Sequence, residues 1–224
     1  MTQPSAPPKA IAIDLDGTLV DTVDTRIRAW LTAFEAARIP ATQERIAPLI
    51  GSDGKRLAKV IAGDAGMDLD DARAEAIDQR SGELFDQLNQ DPRPLPGARE
   101  LLEAADTRGI PWAIATSSRR EQVERSVAAL QLERRPTIVD GSSVRHAKPA
   151  PDLFLSAAEV LRVEAVRTWS IGDATWDIVA SIAAGMIAIG VTAGSAVGEE
   201  VLRGAGASLV VPTLFDLIPL LDGR

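Results

Sequence analysis

The sequence predicts a doubly wound α/β protein, a parallel sheet with helices on both faces, that carries a helical insertion after its first strand. Three observations predict it. Short runs of Ile, Val and Ala recur along the chain and stop at Gly, Asp or Ser. From residue 97 onward these runs alternate with segments of helical spacing, the pattern of βαβ units. Between residues 22 and 90 no strand-like run occurs, and so long a helical stretch exceeds one crossover. We therefore expect an α/β core over 1–20 and 91–224 and a helical cap domain over 21–90.

The elements follow in order. Residues 1–10, MTQPSAPPKA, are polar and Pro-rich with no apolar h-region, as in a frayed tail and not a signal peptide. Ala10-Ile11-Ala12-Ile13 is a buried parallel strand that runs into Asp14-Leu15-Asp16-Gly17-Thr18. Ile27, Trp30, Leu31 and Phe34 then share one helical face, which Pro40 ends. Helices are expected near 43–49, 54–65 and 69–88, with Leu57, Val60 and Ile61 on one stripe and Ile77, Leu84 and Leu88 on another. Asp91–Gly97, with three prolines, is a stiff connector back to the core.

The core then resumes. Helices are predicted at 98–108, 120–130, 151–161, 176–184 and 197–203, and strands at 111–115, 137–139, 168–171, 187–191 and 208–211; 214–221 closes the chain. Gly109 closes the first of these helices and a proline opens the third.

Composition excludes several classes. A formal net charge of −8 argues against a general nucleic-acid or anionic-membrane surface, so an anionic substrate needs a local cationic site. Cysteine is absent, which removes disulfides, thiol chemistry and Cys-based zinc sites and suits a cytoplasmic setting. No apolar run is long enough to span a membrane. Oligomeric state is not encoded legibly.

Polar residues collect where the strands are predicted to end: Asp14 and Asp16, Thr116-Ser117-Ser118, Lys148, and Asp173 with Asp177. Strand ends of a parallel sheet converge on one edge, so these distant residues can share a cleft. Close carboxylates suit a hard cation with oxygen ligands, Mg²⁺ foremost. A hydroxyl beside free N–H groups at a helix start suits phosphate. A lysine supplies charge that a phosphate dianion and a neighbouring carboxylate both need. One carboxylate can attack phosphorus and a second can protonate the leaving oxygen.

DLDGTLVDT, ATSS, AKPAPDLF and IGDATWD, in that order, resemble the four motifs of the haloacid dehalogenase-like hydrolases, specifically the phosphoglycolate phosphatase and β-phosphoglucomutase-like branch with a helical cap. The resemblance covers the whole chain and implies a Rossmann-like core. It implies Asp14 as nucleophile and Asp16 as general acid and base, with the Asp16 backbone carbonyl on Mg²⁺. It implies Thr116, with Ser117 beside it, and Lys148 as phosphate-binding residues. Asp173 becomes a Mg²⁺ ligand, and Asp177 supports the metal directly or through water. The expected function is a Mg²⁺-dependent phosphatase acting on a small phosphate monoester through an aspartyl-phosphate. A dehalogenase would need neither Asp16 nor Mg²⁺. The related mutases carry a histidine where this chain has Arg26, which disfavours a sugar phosphomutase; a non-catalytic phosphate-binding module is the remaining alternative.

In the cap, Gly51-Ser52-Asp53-Gly54-Lys55-Arg56 combines backbone freedom with two cations. We expect this loop to face the Asp14 cleft, with Lys55 and Arg56 contacting the part of the substrate that is not phosphate. Trp30 and Trp176 are expected as core or cleft walls, and His146 as a loop residue without a role.

Overall fold

The structure, a computed structural model, describes residues 6–223, without the Glu121 side chain; residues 1–5 of the expected N-terminal tail lie outside it. Its strands are β1 (Ala10–Ile13), β2 (Val20–Asp21), β3 (Arg93–Pro94), β4 (Trp112–Ala115), β5 (Ile138–Val139), β6 (Thr168–Gly172), β7 (Ile187–Val191) and β8 (Leu209–Val211). Its α-helices are α1 (Val23–Ala36), α2 (Gln43–Ile46), α3 (Gly54–Asp64), α4 (Asp71–Leu88), α5 (Ala98–Thr107), α6 (Arg120–Ala129), α7 (Asp152–Leu161), α8 (Thr175–Ala183) and α9 (Glu199–Gly204). Short 3₁₀ turns over Leu214–Leu217 and Pro219–Asp222 close the chain.

Six strands form a parallel sheet in the order β5-β4-β1-β6-β7-β8. All four residues of β1 are fully buried, which explains its unbroken apolar run. The pleat divides them between two clusters. Ile11 and Ile13 join Leu101, Leu102, Trp112 and Trp169 on one face. Ala12 joins Phe154 and Ala157 of α7 on the other, where a small residue lets the helix approach. The chain leaves β1 for β4 on one side and later returns to β6 on the other. The carboxyl end of β1 is therefore the topological switch point at which open α/β sheets form a ligand crevice.

The helical segment between β2 and β3 has a hydrophobic cluster of its own, with Ile27, Trp30, Phe34, Leu57, Ile61, Ile77 and Phe85 among its buried members. Burying each large side chain of this kind contributes roughly 1.5–3 kcal/mol. Asp53 and Asp70 cap α3 and α4, their carboxylates accepting from the backbone N–H of Arg56 at 2.9 Å and Arg73 at 2.8 Å. Two details differ from the sequence expectation. Leu88 is 40% exposed and Phe85 takes its place in the core, one residue round the helix from Leu84. The proline-rich connector forms part of a two-stranded ribbon, β3 pairing antiparallel with β2, so both crossings between helical segment and core run side by side.

Candidate active site

Asp14, Thr116 and Asp173 directly follow β1, β4 and β6, three adjacent strands, and so arrive at one edge. Asp14 is anchored by its own N–H, which donates to Ile171 O at 2.9 Å. Lys148 comes from the loop before α7 and is fully buried. Its Nζ donates to Asp14 Oδ1 at 2.5 Å and to Ala115 O at 3.1 Å, and lies 2.6 Å from Asp177 Oδ1. Asp177 occupies the first turn of α8, where its Oδ2 accepts from the Ala174 N–H at 2.9 Å. Both Asp177 oxygens are thus engaged, one with the lysine and one with the helix start.

Asp173 is fixed by Thr18, whose hydroxyl donates to its Oδ1 at 2.9 Å, and by Ser195, whose hydroxyl donates to its carbonyl oxygen at 2.5 Å. Gly17 has φ +81°, and a Cβ there would fall 2.4 Å from Asp173 Oδ2. Only glycine serves this position, because the turn and the approaching carboxylate both exclude a side chain.

The electrostatics of this cluster are unbalanced. Ligand atoms of Asp14, Asp173 and Asp177 lie within 4.8 Å of one another, and all three residues are buried. Burial pushes the Asp14 carboxyl up to about 8 against the pull of Lys148, with Asp177 adding to the rise. Burial, then Asp177 and Asp14, hold Asp173 well above the ordinary carboxylate value. Burial opposes the charge of Lys148, yet Asp14 and Asp177 outweigh it and keep the ammonium above its usual pKa. One ammonium does not match three buried carboxylates, and an all-oxygen donor set of this kind fits a hard divalent cation.

Asp16 stands apart from this cluster. Its Oδ1 accepts from Thr22 Oγ1 at 2.7 Å; its Oδ2 accepts from Ser118 Oγ at 2.6 Å and Arg26 Nη2 at 3.0 Å. Burial works against its ionisation, but Arg26, Ser118 and Thr22 together hold its carboxyl below the ordinary value. Sequence reasoning missed Arg26 and Thr22 as partners of Asp16. A signal existed, since the two are four residues apart and share a face of the turn entering α1.

Thr116 is buried, and its Oγ1 accepts from the Ser118 N–H at 3.1 Å, leaving the hydroxyl proton available to donate. Ser117 turns to the helical segment, its hydroxyl donating to Gly51 O at 3.2 Å. The Asp53 N–H donates to Lys148 O at 3.0 Å and Trp176 Nε1 to Pro48 O at 2.8 Å, so the loop before α3 is seated on the core. A cavity of about 250 Å³ lies between them. Its walls include Asp14, Asp16, Thr116, Ser117 and Asp173 from the core and Trp30, Gly51–Lys55, Glu75 and Asp78 from the helical segment. Lys55 lines it, paired with Glu75 at 3.5 Å. Arg56 is not on that wall; its guanidinium lies 4.9 Å from the Trp176 ring centroid. His146 is exposed and its Nδ1 is 3.1 Å from Asp152 Oδ1.

Comparisons agree with this architecture. A family model described as "Haloacid dehalogenase-like hydrolase" matches residues 11–191. The chain is 31% identical over 215 residues to a protein named β-phosphoglucomutase from Bacillus subtilis, covering 93% of this chain and 91% of that one. It is 30% identical over 190 residues to one named phosphoglycolate phosphatase from Neisseria gonorrhoeae, covering 83% and 80%. It also matches the Arabidopsis thaliana protein Suppressor of Quenching 1, chloroplastic, at 30% identity over 209 residues, but spans 19% of that protein's length. Among solved structures, a hydrolase from Pseudomonas syringae superposes with a TM-score of 0.90 at 34% identity, covering 96% of this chain and 98% of that one. No helix among the described residues is long and apolar enough to cross a membrane. With a family match spanning most of the chain, and a six-stranded parallel sheet presenting buried carboxylates at its switch point, the chain belongs to the haloacid dehalogenase-like hydrolases.

Proposed function

We propose that the protein is a Mg²⁺-dependent phosphatase that hydrolyses a small phosphate monoester through a phosphorylated Asp14. The observation that carries this is the Lys148 ammonium held between Asp14 and Asp177, with Asp14 and Asp173 beside it lining a polar cavity. Asp14 keeps one carboxylate oxygen clear of Lys148, and that oxygen attacks phosphorus. The bond to the ester oxygen breaks as Asp16, which must first take up a proton from solvent against the pull of Arg26, passes that proton to the oxygen. Asp16 then takes a proton from the water that attacks the phosphorylated Asp14, which frees inorganic phosphate. Thr116 Oγ1 and Lys148 hold phosphoryl oxygens, and Asp177 orients the lysine. Asp14, Asp173 and the Asp16 carbonyl would hold Mg²⁺, which would supply positive charge for the phosphoryl oxygens and favour the ionised form of Asp14. The helical segment over 21–90 serves as the cap, excluding water while the phosphorylated enzyme waits.

A second possibility, a sugar phosphomutase, draws support from the 31% identical relative of that name. Arg26, standing where the related mutases carry histidine, favours hydrolysis. The test is phosphate release from a panel of phosphorylated metabolites, with Mg²⁺ and with excess EDTA. Release that depends on Mg²⁺ is expected. Full release in chelator would contradict the metal's role, and isomerisation without release would identify a mutase.

A further inference from the structure

The helical segment meets the core along two seams of different strength. One is the flank of α4 against α6. Arg125 Nη1 donates to Asp86 O at 2.7 Å and to Asn89 O at 3.1 Å, so a core arginine holds carbonyls at the C-terminal end of α4. Asn89 Nδ2 donates to Ser126 Oγ at 3.0 Å, and both residues are buried. Gln122 lies against the bare backbone of Gly82, where a Cβ would fall 2.0 Å from its Nε2. Further up α4, Arg119 Nη2 reaches Glu75 at 2.5 Å and Asp78 at 3.1 Å. Hydrogen bonds with an ionised partner are roughly twice as strong as neutral ones. The helix that carries them is continuous over 18 residues.

The other seam is the loop over 47–53, where the hydrogen bonds are neutral. Trp176 Nε1 donates to Pro48 O at 2.8 Å, the Asp53 N–H to Lys148 O at 3.0 Å and Ser117 Oγ to Gly51 O at 3.2 Å. Gly51 has φ +86°, and a Cβ there would fall 3.1 Å from Ala174 Cβ. The crevice between Pro48 and Ile50 on one side and Ala174 and Ala196 on the other holds about 10 Å³, room for one water at most. Trp176 makes the shortest of the three hydrogen bonds, and its ring also faces Arg56, with the guanidinium 4.9 Å from the centroid. It therefore touches the chain on both sides of Gly51 and Gly54. Its own backbone is fixed, because Asp177 next to it accepts from the Ala174 N–H at the start of α8.

We propose that Trp176 is a positioning residue that clasps the helical segment to the core, so that the cavity opens along the 47–53 loop while the α4–α6 seam stays closed. The seam of neutral bonds gives first, and Gly51 and Gly54 supply the backbone freedom for the loop to lift. Gly51, Ser52 and Asp53 belong to the same cavity wall as Asp14 and Thr116, so lifting them admits solvent and ligand. Trp176 is not on that wall and acts through the loop, without touching the ligand. The clasp stands on these contacts alone; its effect on turnover rests on the phosphatase reading, in which ester enters and phosphate leaves past the lifted loop.

The test is amide hydrogen exchange, read residue by residue by NMR on the full chain without substrate. The Asp53 N–H spans the loop seam, and the Leu95 N–H, which donates to Leu19 O at 2.9 Å, reports the crossing between helical segment and core. Trp176→Phe keeps an aromatic ring and removes the N–H. Exchange at Asp53 should rise by about fivefold, as for one lost neutral hydrogen bond, with Leu95 unchanged. Arg56→Ala, a change in the helical segment and not beside Asp177, should raise Asp53 exchange by about twofold. If Trp176→Phe does not fold, Arg56→Ala is read by the same two amides. Parent-like exchange at Asp53 in Trp176→Phe, or an equal rise at Leu95, would overturn the clasp. In turnover, Trp176→Phe should raise KM by about fivefold while the single-turnover rate at saturating ester holds. A fall in that rate with KM unchanged would also overturn it. If the parent hydrolyses no ester, the phosphatase reading falls and the exchange measurement alone decides: the selective rise at Asp53 sustains the clasp and its absence removes it.

Discussion

Lys148 Nζ stands 2.6 Å from Asp177 Oδ1, so α8 presents its first-turn carboxylate to the lysine that also holds Asp14. The pair places a full positive charge inside the sheet edge without solvent. Replacing Lys148 with Met leaves Asp14 and Asp177 facing each other with no cation between them. Removing one partner of a buried pair costs about 3–5 kcal/mol. We expect a loss of that size for Lys148→Met in chelator, measured by urea unfolding, with Mg²⁺ recovering part of it. An unchanged midpoint would mean that the lysine is not compensating the carboxylates.

The same imbalance sets a pH dependence. Burial raises Asp14 from 3.8 to about 8 in the folded chain, and Asp173 is raised as well. Between those limits the folded chain binds more protons than the unfolded one, so metal-free stability falls as pH rises through that window. Asp16 is lowered, and its contribution disappears only as pH falls below the ordinary carboxylate value, outside the window. The rise in Tm on adding Mg²⁺ should therefore grow from pH 5 to about pH 8. A Tm gain independent of pH would contradict this origin.

Gly17→Ala should damage the metal-free protein and the metal site together. A non-glycine residue at φ +81° costs about 1–3 kcal/mol, and the new Cβ also meets Asp173 Oδ2 and Val23 Cγ2 at 2.4 and 2.6 Å. Thermal unfolding should show the loss, and calorimetry should show weakened Mg²⁺ binding. A parent-like Mg²⁺ affinity would mean that Asp173 takes no part in holding the ion.

Lys55 and Arg56 should behave differently on substitution. Lys55→Ala should change the ranking of substrates in a phosphatase panel, because Lys55 lines the cavity. Arg56→Ala should leave the ranking as it is and lower thermal stability slightly, because its guanidinium lies on Trp176. A reordered panel in the Arg56 variant alone would reverse the two roles.

That contrast shows where the sequence was legible and where it was not. Apolar runs ending in polar residues located Asp14, Thr116 and Asp173, because a buried parallel strand leaves so plain a mark. Adjacency in sequence makes Lys55 and Arg56 look like a pair, but neighbours on a helix point about 100° apart and cannot both face one wall. In the sequence Arg26 stands out only by not being a histidine. Its partners Asp16 and Ser118 are 10 and 92 residues away in sequence, and only the packed fold brings all three together. The ribbon of β2 with β3 left no mark either, since two residues with a proline carry no alternation.

The central claim is that the phosphoryl group passes to Asp14. Turnover of a phosphate monoester with Mg²⁺ can be quenched in acid and treated with borohydride, which reduces an acyl phosphate to the alcohol. Peptide mass mapping should then find homoserine at position 14 in the parent, and none after the same treatment of Asp14→Asn or of protein held in EDTA. Phosphate release from the parent with residue 14 still recovered wholly as aspartate, or with the label on another side chain, would contradict the account.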